Sequence, residues 1–329
     1  PPLTPVVIRF FLGNTRRPLS SFGGLMWFKN AQIHPLQSNF PYQPEKLADL
    51  LQQQTFQPCG SVSPHSLGWI APIGEDEAPL VHGSNGCLLF CLKIEEKLLP
   101  AGVVKEQHEA EVKAIETQQG KKLFRDEKQR LKEELYHSLL SKAFTRSQRI
   151  YAYIDTRSQQ LIIDTSSDKR TEQFLKLFRH CASAIGITRH EITSPRSVMT
   201  QWLQSNRYPG GFSITEQCVL EEPKDRGGVA RFQQSDLLGD GVKGCLEQGS
   251  QVISLGLNWR DQIRFNLKHD FTIASIKFLD SVQELARDGL SETNEDREAA
   301  DFAIMSETLA QFFKDLLTHF VDQEAAIAC

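Results

Sequence analysis

The chain has 329 residues, 40% of them apolar and 24% charged, and a formal net charge of −4. These values exclude a disordered or fibrous chain and a uniformly basic nucleic-acid binder, and no apolar run approaches the ~18 residues of a membrane span. The seven cysteines are scattered and form no C-x-x-C pair, which favours reduced thiols in a cytoplasmic protein over a disulfide framework.

Taken in order, residues 1–25 open with "PPLTPVVIRFFLG", whose short apolar part is interrupted by Arg9 and does not fit a signal peptide. The natural start is expected at Met26, leaving 1–25 as an upstream extension. Residues 26–100 read as an N-terminal α+β part: a strand in "MWFKNAQIHPL", a helix in "QPEKLADLLQQQ", then strands in "LGWIAP" and "GCLLFCLKIEEKLL". Cys87 and Cys91 in that last run fit buried small hydrophobes better than metal ligands.

Residues 101–149 form a helical arm and its tip, with one helix over 101–119, a break at Gly120, a second helix from about Lys121 to Leu140, and a closing loop, "SKAFTRSQR". Residues 150–225 hold a hairpin, "RIYAYIDT" and "QLIIDTS", followed by a helix capped near Ser167 or Asp168. Residues 226–329 make a C-terminal α+β part. It has a strand in "GGVARFQ", a helix through "SDLLGDGVKGCLEQG", a three-strand meander, an acidic linker and a closing amphipathic helix. The class is α+β with mostly antiparallel sheets flanking the arm, because no alternating βα rhythm supports a doubly wound fold.

Several short motifs suggest chemistry. "GDGVKG" matches G-x-G-x-x-G, but the polar "QQSDLL" before it reads as helix already under way, so a phosphate would meet no helix N-terminus there. Asp76 with Glu95 and Lys97 of "IEEK" could place two carboxylates on Mg²⁺ beside a lysine, as in metal-dependent nucleases. A solvated strand end is the plainer account of the same residues. Asp155 and Asp164 read as polar hairpin ends. No nucleophile elbow or phosphate-binding Gly-Lys loop occurs, and no cofactor is called for.

The net charge hides a segregation. Residues 121–149 carry nine Lys/Arg against four Asp/Glu, a local +5, while 280–324 carry three against twelve, a local −9. Lys121, Arg125, Lys128 and Lys132 are spaced +4, +3, +4 and share one helical stripe, with Phe124, Leu131 and Leu135 on an apolar stripe beside it. The cations lead towards Lys142, Arg146 and Arg149, a track suited to phosphates and hence to binding without sequence preference.

"MWFKN", "FQPCGS", "GWIAPIG", "IEEKLLP", "LKEELYHSLLSKAF", "YIDT", "GGVARF" and "ADFAIMSETLAQFF" together resemble, in family order, the bacterial RdgC family of recombination-associated proteins. The resemblance runs from Met26 to about Phe320. It implies a nucleoid-associated, non-enzymatic protein that binds single- and double-stranded DNA with little sequence preference and restrains RecA-driven strand exchange. It also implies a homodimer of horseshoe-shaped subunits closing into a ring, with "LLSKAF" at the tip, where Leu140 and Phe144 meet the partner and Phe144 acts as the gate. After "GGV" the family can carry a lysine-rich finger. Here "ARFQQS" keeps only Arg231 as a cation, beside Gln233 and Gln234, whose amides offer phosphate a hydrogen bond but no charge. The alternatives are the Mg²⁺-dependent nuclease and an adaptor that docks a protein on the acidic C-terminal helix.

Overall fold

The computed structural model describes residues 27–74, 77–223, 227–287 and 293–320. Residues 1–25, Met26 and Asp76 therefore lie outside the described residues. A first sheet takes β1 (Gln32–Pro35), β2 (His65–Ile70), β3 (Val81–Ser84), β4 (Cys87–Leu98), β5 (Phe144–Asp155) and β6 (Gln160–Ile163). Its order is β1-β6-β5-β4-β2, with β3 also on β4. A second sheet takes β7 (Phe212–Glu221), β8 (Val229–Gln233), β9 (Gln251–Trp259), β10 (Ile263–Lys268) and β11 (Ile273–Phe278) in the order β11-β10-β9-β7-β8. Every pairing between these strands is antiparallel. The helices are α1 (Pro44–Leu51), α2 (Ala101–Gln119), α3 (Arg125–Lys142), α4 (Asp168–Cys181), α5 (Pro195–Ser205), α6 (Asp240–Glu247), α7 (Asp280–Arg287) and α8 (Asn294–Leu317). The α+β class with antiparallel sheets is as expected, but the sheets do not flank the arm: the strands on either side of it, β4 and β5, are neighbours in one sheet.

β4 is the spine of the first sheet. Its apolar run is continuous because both faces are buried: Cys87 and Leu89 pack into one core with α8, while Leu88, Phe90, Leu92 and Ile94 pack into another with α1 and α4. On the second side Trp69 meets Phe174 edge-on at 5.3 Å and Phe90 stacks on Phe178 at 5.4 Å. α8 separates the two sheets. Phe302 faces Tyr153 of the first sheet at 5.7 Å, and Phe312 lies 4.8 Å from Phe265 and 5.5 Å from Trp259 of the second. The apolar face of this helix is therefore covered within the subunit. Much of the expected acidic linker is helical too: residues 294–301 form the first two turns of α8, capped by Thr293, whose side chain accepts from the Asp296 N–H at 3.1 Å.

The chain start stitches the two sheets together. Ala31 exchanges backbone hydrogen bonds with Ile273 at 2.7 and 3.0 Å, and the next residues pair as β1 with β6. Asp164 holds this crossing, accepting from the N–H groups of Lys29 (3.1 Å) and Asn30 (2.8 Å) and from the Asn30 amide (3.4 Å). Burial pushes its carboxyl up to about 6, against the pull of those donors. A raised carboxyl pKa gives stability that is full below about pH 4 and is lost as pH rises through 6. Asp164→Asn, which keeps an acceptor oxygen, should remove this dependence. In urea unfolding at pH 4.5 and pH 7, the wild type should lose stability relative to the variant at the higher pH. Equal differences at the two pH values would contradict the assignment.

The region of "GDGVKG" departs from expectation. Residues before it form a turn, in which Asp236 accepts from the Leu238 N–H at 2.9 Å, and α6 begins only at Asp240 with Gly239 as its N-cap. The glycines do open a helix, yet Asp236 and Asp240 set two carboxylates at its start, which repel a phosphate. The strand upstream is the sheet-edge β8, not the buried parallel strand a dinucleotide fold requires.

Candidate nucleic-acid interface

The arm is the connection between two strands of one ladder. β4 and β5 pair through twelve residues, from Cys87↔Asp155 to Leu98↔Phe144, and the α2–α3 hairpin spans the open end. Gly120, at φ 66°, ends α2 in the left-handed region that favours glycine. The chain then turns through Lys121–Phe124, and α3 starts at Arg125, where the Glu127 carboxylate accepts from the Phe124 N–H at 2.7 Å. Lys121 thus lies in the turn and not on the helical stripe expected for it. Phe124 is 74% exposed at the same turn and does not pack on α2.

Little apolar burial holds this hairpin. α2 buries Val104 and Val112, and α3 buries Leu140. Polar contacts join the helices instead: Glu116 pairs with Lys128 at 2.8 Å and accepts from the Leu123 N–H at 3.0 Å, and His108 meets the Lys128 carbonyl at 2.8 Å. α3 supplies the stripe no acidic partner among the described residues, but Glu116 reaches Lys128 from α2. Arg125, Lys128 and Lys132 fall within about 60° around α3. Arg125, Lys132, Lys142 and Arg146, with Lys121 in the turn, make no ion pair among the described residues, so their charge is open to a ligand.

The expected loop "SKAFTRSQR" is not one. α3 ends at Lys142, and β5 starts at Phe144. Alternation along the strand then puts Phe144, Arg146 and Gln148 on one face and Thr145, Ser147 and Arg149 on the other. Arg146 and Arg149 cannot serve one continuous track. Arg146 lies across from Glu96, which Arg170 of α4 already holds through two bonds at 3.0 and 2.9 Å. Arg149 lies across from Lys93, a cation that sequence reasoning missed, and bonds the Tyr151 hydroxyl at 3.4 Å. Arg231 stands apart on β8, the exposed edge of the second sheet.

The two residues assigned to the dimer contact divide. Phe144 is 84% exposed at the end of the ladder, with Leu98 opposite it also exposed. Leu140 is 1% exposed within its own subunit, and its carbonyl accepts from the Lys97 amine at 3.0 Å. It cannot reach a partner. Of the nuclease residues, Glu95 and Lys97 are likewise committed to structure. Glu95 accepts from the Cys59 N–H at 2.7 Å, the main cause of its lowered pKa, and from Ser147 at 3.2 Å. Lys97 donates to the Ser61 and Leu140 carbonyls.

Fold and site together define an α+β protein of two antiparallel sheets whose helical arm displays unpaired cations. A family model described as "Putative exonuclease, RdgC" matches residues 26–323. A protein named Recombination-associated protein RdgC from Tolumonas auensis is 35% identical over 301 residues, covering 91% of this chain and all of the relative. Namesakes from Aeromonas hydrophila (35% over 303 residues, 92% of this chain and all of the relative) and Yersinia enterocolitica (32% over 294, 89% and 97%) are similar to it in the same way. The chain belongs to the RdgC family. The family description speaks of an exonuclease, whereas the relatives' names speak of recombination and of no reaction.

Proposed function

We propose that this protein binds single- and double-stranded DNA through the phosphate backbone, without reading sequence, and restrains RecA-promoted recombination by occupying or enclosing the DNA. The observation that carries this reading is the arm. Two largely polar helices stand on the end of a ladder and bury little, and they present Arg125, Lys132 and Lys142, with Arg146 at the start of β5, without an ion pair among the described residues. A helix pair so poorly buried gains little from folding alone, and its charged surface is the feature left to explain it. Phosphate positions are common to every sequence, so such cations give affinity without specificity. The roles of Glu95 and Lys97 in local hydrogen bonds favour binding without a chemical step.

In this reading the protein is nucleoid-associated and acts as a homodimer of horseshoe-shaped subunits that closes around DNA, with Phe144 and Leu98 as the apolar contact at one closure. An aromatic exposed beside a second apolar residue is a surface that association would cover. Phe144→Ala should weaken dimerisation by about tenfold or more in sedimentation equilibrium, as expected for an aromatic anchor, while leaving thermal stability unchanged. An unchanged dimer dissociation constant would count against Phe144 as the gate.

A further inference from the structure

The turn at the far end of the arm holds a residue that serves neither its helix nor a core. Phe124 occupies the position just before α3, where Ser, Thr, Asp or Asn would bond the free N–H groups of the helix. A phenyl ring cannot do this. The ring is exposed, belongs to neither apolar core, and makes no ring or cation contact among the described residues. The backbone beneath it is nonetheless fixed. The Phe124 N–H donates to the Glu127 carboxylate at 2.7 Å, its carbonyl accepts from the Lys128 N–H at 3.1 Å, and the neighbouring Leu123 N–H donates to Glu116 at 3.0 Å. A bare aromatic ring is thus presented on a hydrogen-bonded turn, at the end of about 28 Å of α2 helix.

The surroundings of the ring are cationic. Lys121, Lys122 and Arg125 lie within three residues of it, all exposed and none in an ion pair among the described residues. Across the turn these three and Lys128 stand against Glu116, Asp126 and Glu127, a net of +1. Two of the three carboxylates are already bonded: Glu127 to the Phe124 N–H, and Glu116 to Lys128 and the Leu123 N–H. Lys132 and Lys142 continue the positive charge along α3 towards the ladder.

A bare aromatic among open cations fits a ligand that carries phosphates and flat apolar faces side by side, which is the description of single-stranded DNA. In a duplex those faces are stacked on one another, and a ring reaches them only by prising a base step apart. A lipid surface would meet the turn alone and leave the cations farther down α3 unused. We propose that Phe124 stacks on an unpaired base while Lys121, Lys122 and Arg125 hold the neighbouring phosphates, so that the tip of the arm favours single strands over duplex. The inference rests on the DNA-binding reading of the arm and adds a contact that phosphate binding alone does not supply.

The test is fluorescence-anisotropy titration of the full chain with a labelled mixed-sequence single strand, a strand of equal length built of stable abasic units, and the corresponding duplex. Phe124→Ala should lose about fivefold or more in affinity for the single strand, the low end for one base stack, and less than about twofold for the abasic strand and the duplex. Phe124→Trp should keep the single-strand affinity, and the emission of its added indole should be quenched by that strand and not by the abasic one. If Phe124→Ala binds every probe as the wild type does, the stack is overturned and the phosphate-tracking arm stands. If the unaltered protein binds no DNA, the DNA-binding reading itself falls, and the stack with it. Equal losses on all three probes would reduce the ring to a prop of the turn and overturn the proposal. Vesicles of phosphatidylcholine and phosphatidylglycerol should not bind, and vesicle binding that Phe124→Ala abolishes would overturn it in favour of a lipid surface.

Discussion

Changing Arg125, Lys132, Lys142 and Arg146 together to glutamine should weaken binding to a mixed-sequence duplex by roughly a thousandfold at low salt. Each cation is free of an acidic partner in the subunit, so its full charge is available to a phosphate. At about 1 kcal/mol per screened contact, below the ~1.5–3 kcal/mol of a charge-assisted hydrogen bond, four of them amount to ~4 kcal/mol, or close to three decades. Lys128→Gln alone should do much less to affinity, because Glu116 already neutralises that amine, and should instead loosen the α2–α3 hairpin. All four positions are exposed, so folding should survive the change. Filter binding and far-UV dichroism on the same preparations separate the two effects. A loss below about threefold would remove the arm from the interface.

Phe312→Ala should be among the costliest single changes in the described fold. The ring is fully buried between the sheets, 4.8 Å from Phe265, 5.5 Å from Trp259 and 5.3 Å from Phe313. Removing a buried phenyl group costs about 3–5 kcal/mol, from lost transfer energy plus the cavity left behind. Domain stabilities are typically about 5–15 kcal/mol, so the variant should unfold at much lower urea or fail to accumulate. Phe124→Ala, at the exposed turn of the arm, should shift stability by no more than about 0.5 kcal/mol. Similar losses at the two sites would contradict the position of α8 between the sheets.

The parts of this fold legible in the sequence are those whose signal is local. "CLLFCLKI" reads as a strand because both faces are buried, and Gly120 marks the end of α2 because its backbone is left-handed. "FTRSQR" has no such signal. Its side chains are exposed on both faces, so no period of two survives, and it is a strand only because Lys93–Leu98 pairs with it. β7 was missed for a related reason: its pairing with β9 shifts register between Ile214 and Cys218, which breaks the alternation. The charge of the arm was visible in composition, but the pairing of Glu116 with Lys128, the burial of Leu140 and the separation of Arg146 from Arg149 arise from packing and register. The hydrogen bond from the Gln32 amide to the Thr272 hydroxyl joins residues more than 200 positions apart and has no sequence signature at all.

The most direct measurement is the salt dependence of DNA affinity for the unaltered protein, on two duplexes of unrelated sequence. Four or more phosphate contacts predict that log K falls against log salt with a slope of about −3.6 or steeper, the same for both duplexes. The quadruple glutamine variant should flatten that slope by about one for each cation removed. A shallow slope in the wild type, or slopes that differ strongly between the two sequences, would contradict a phosphate-tracking arm.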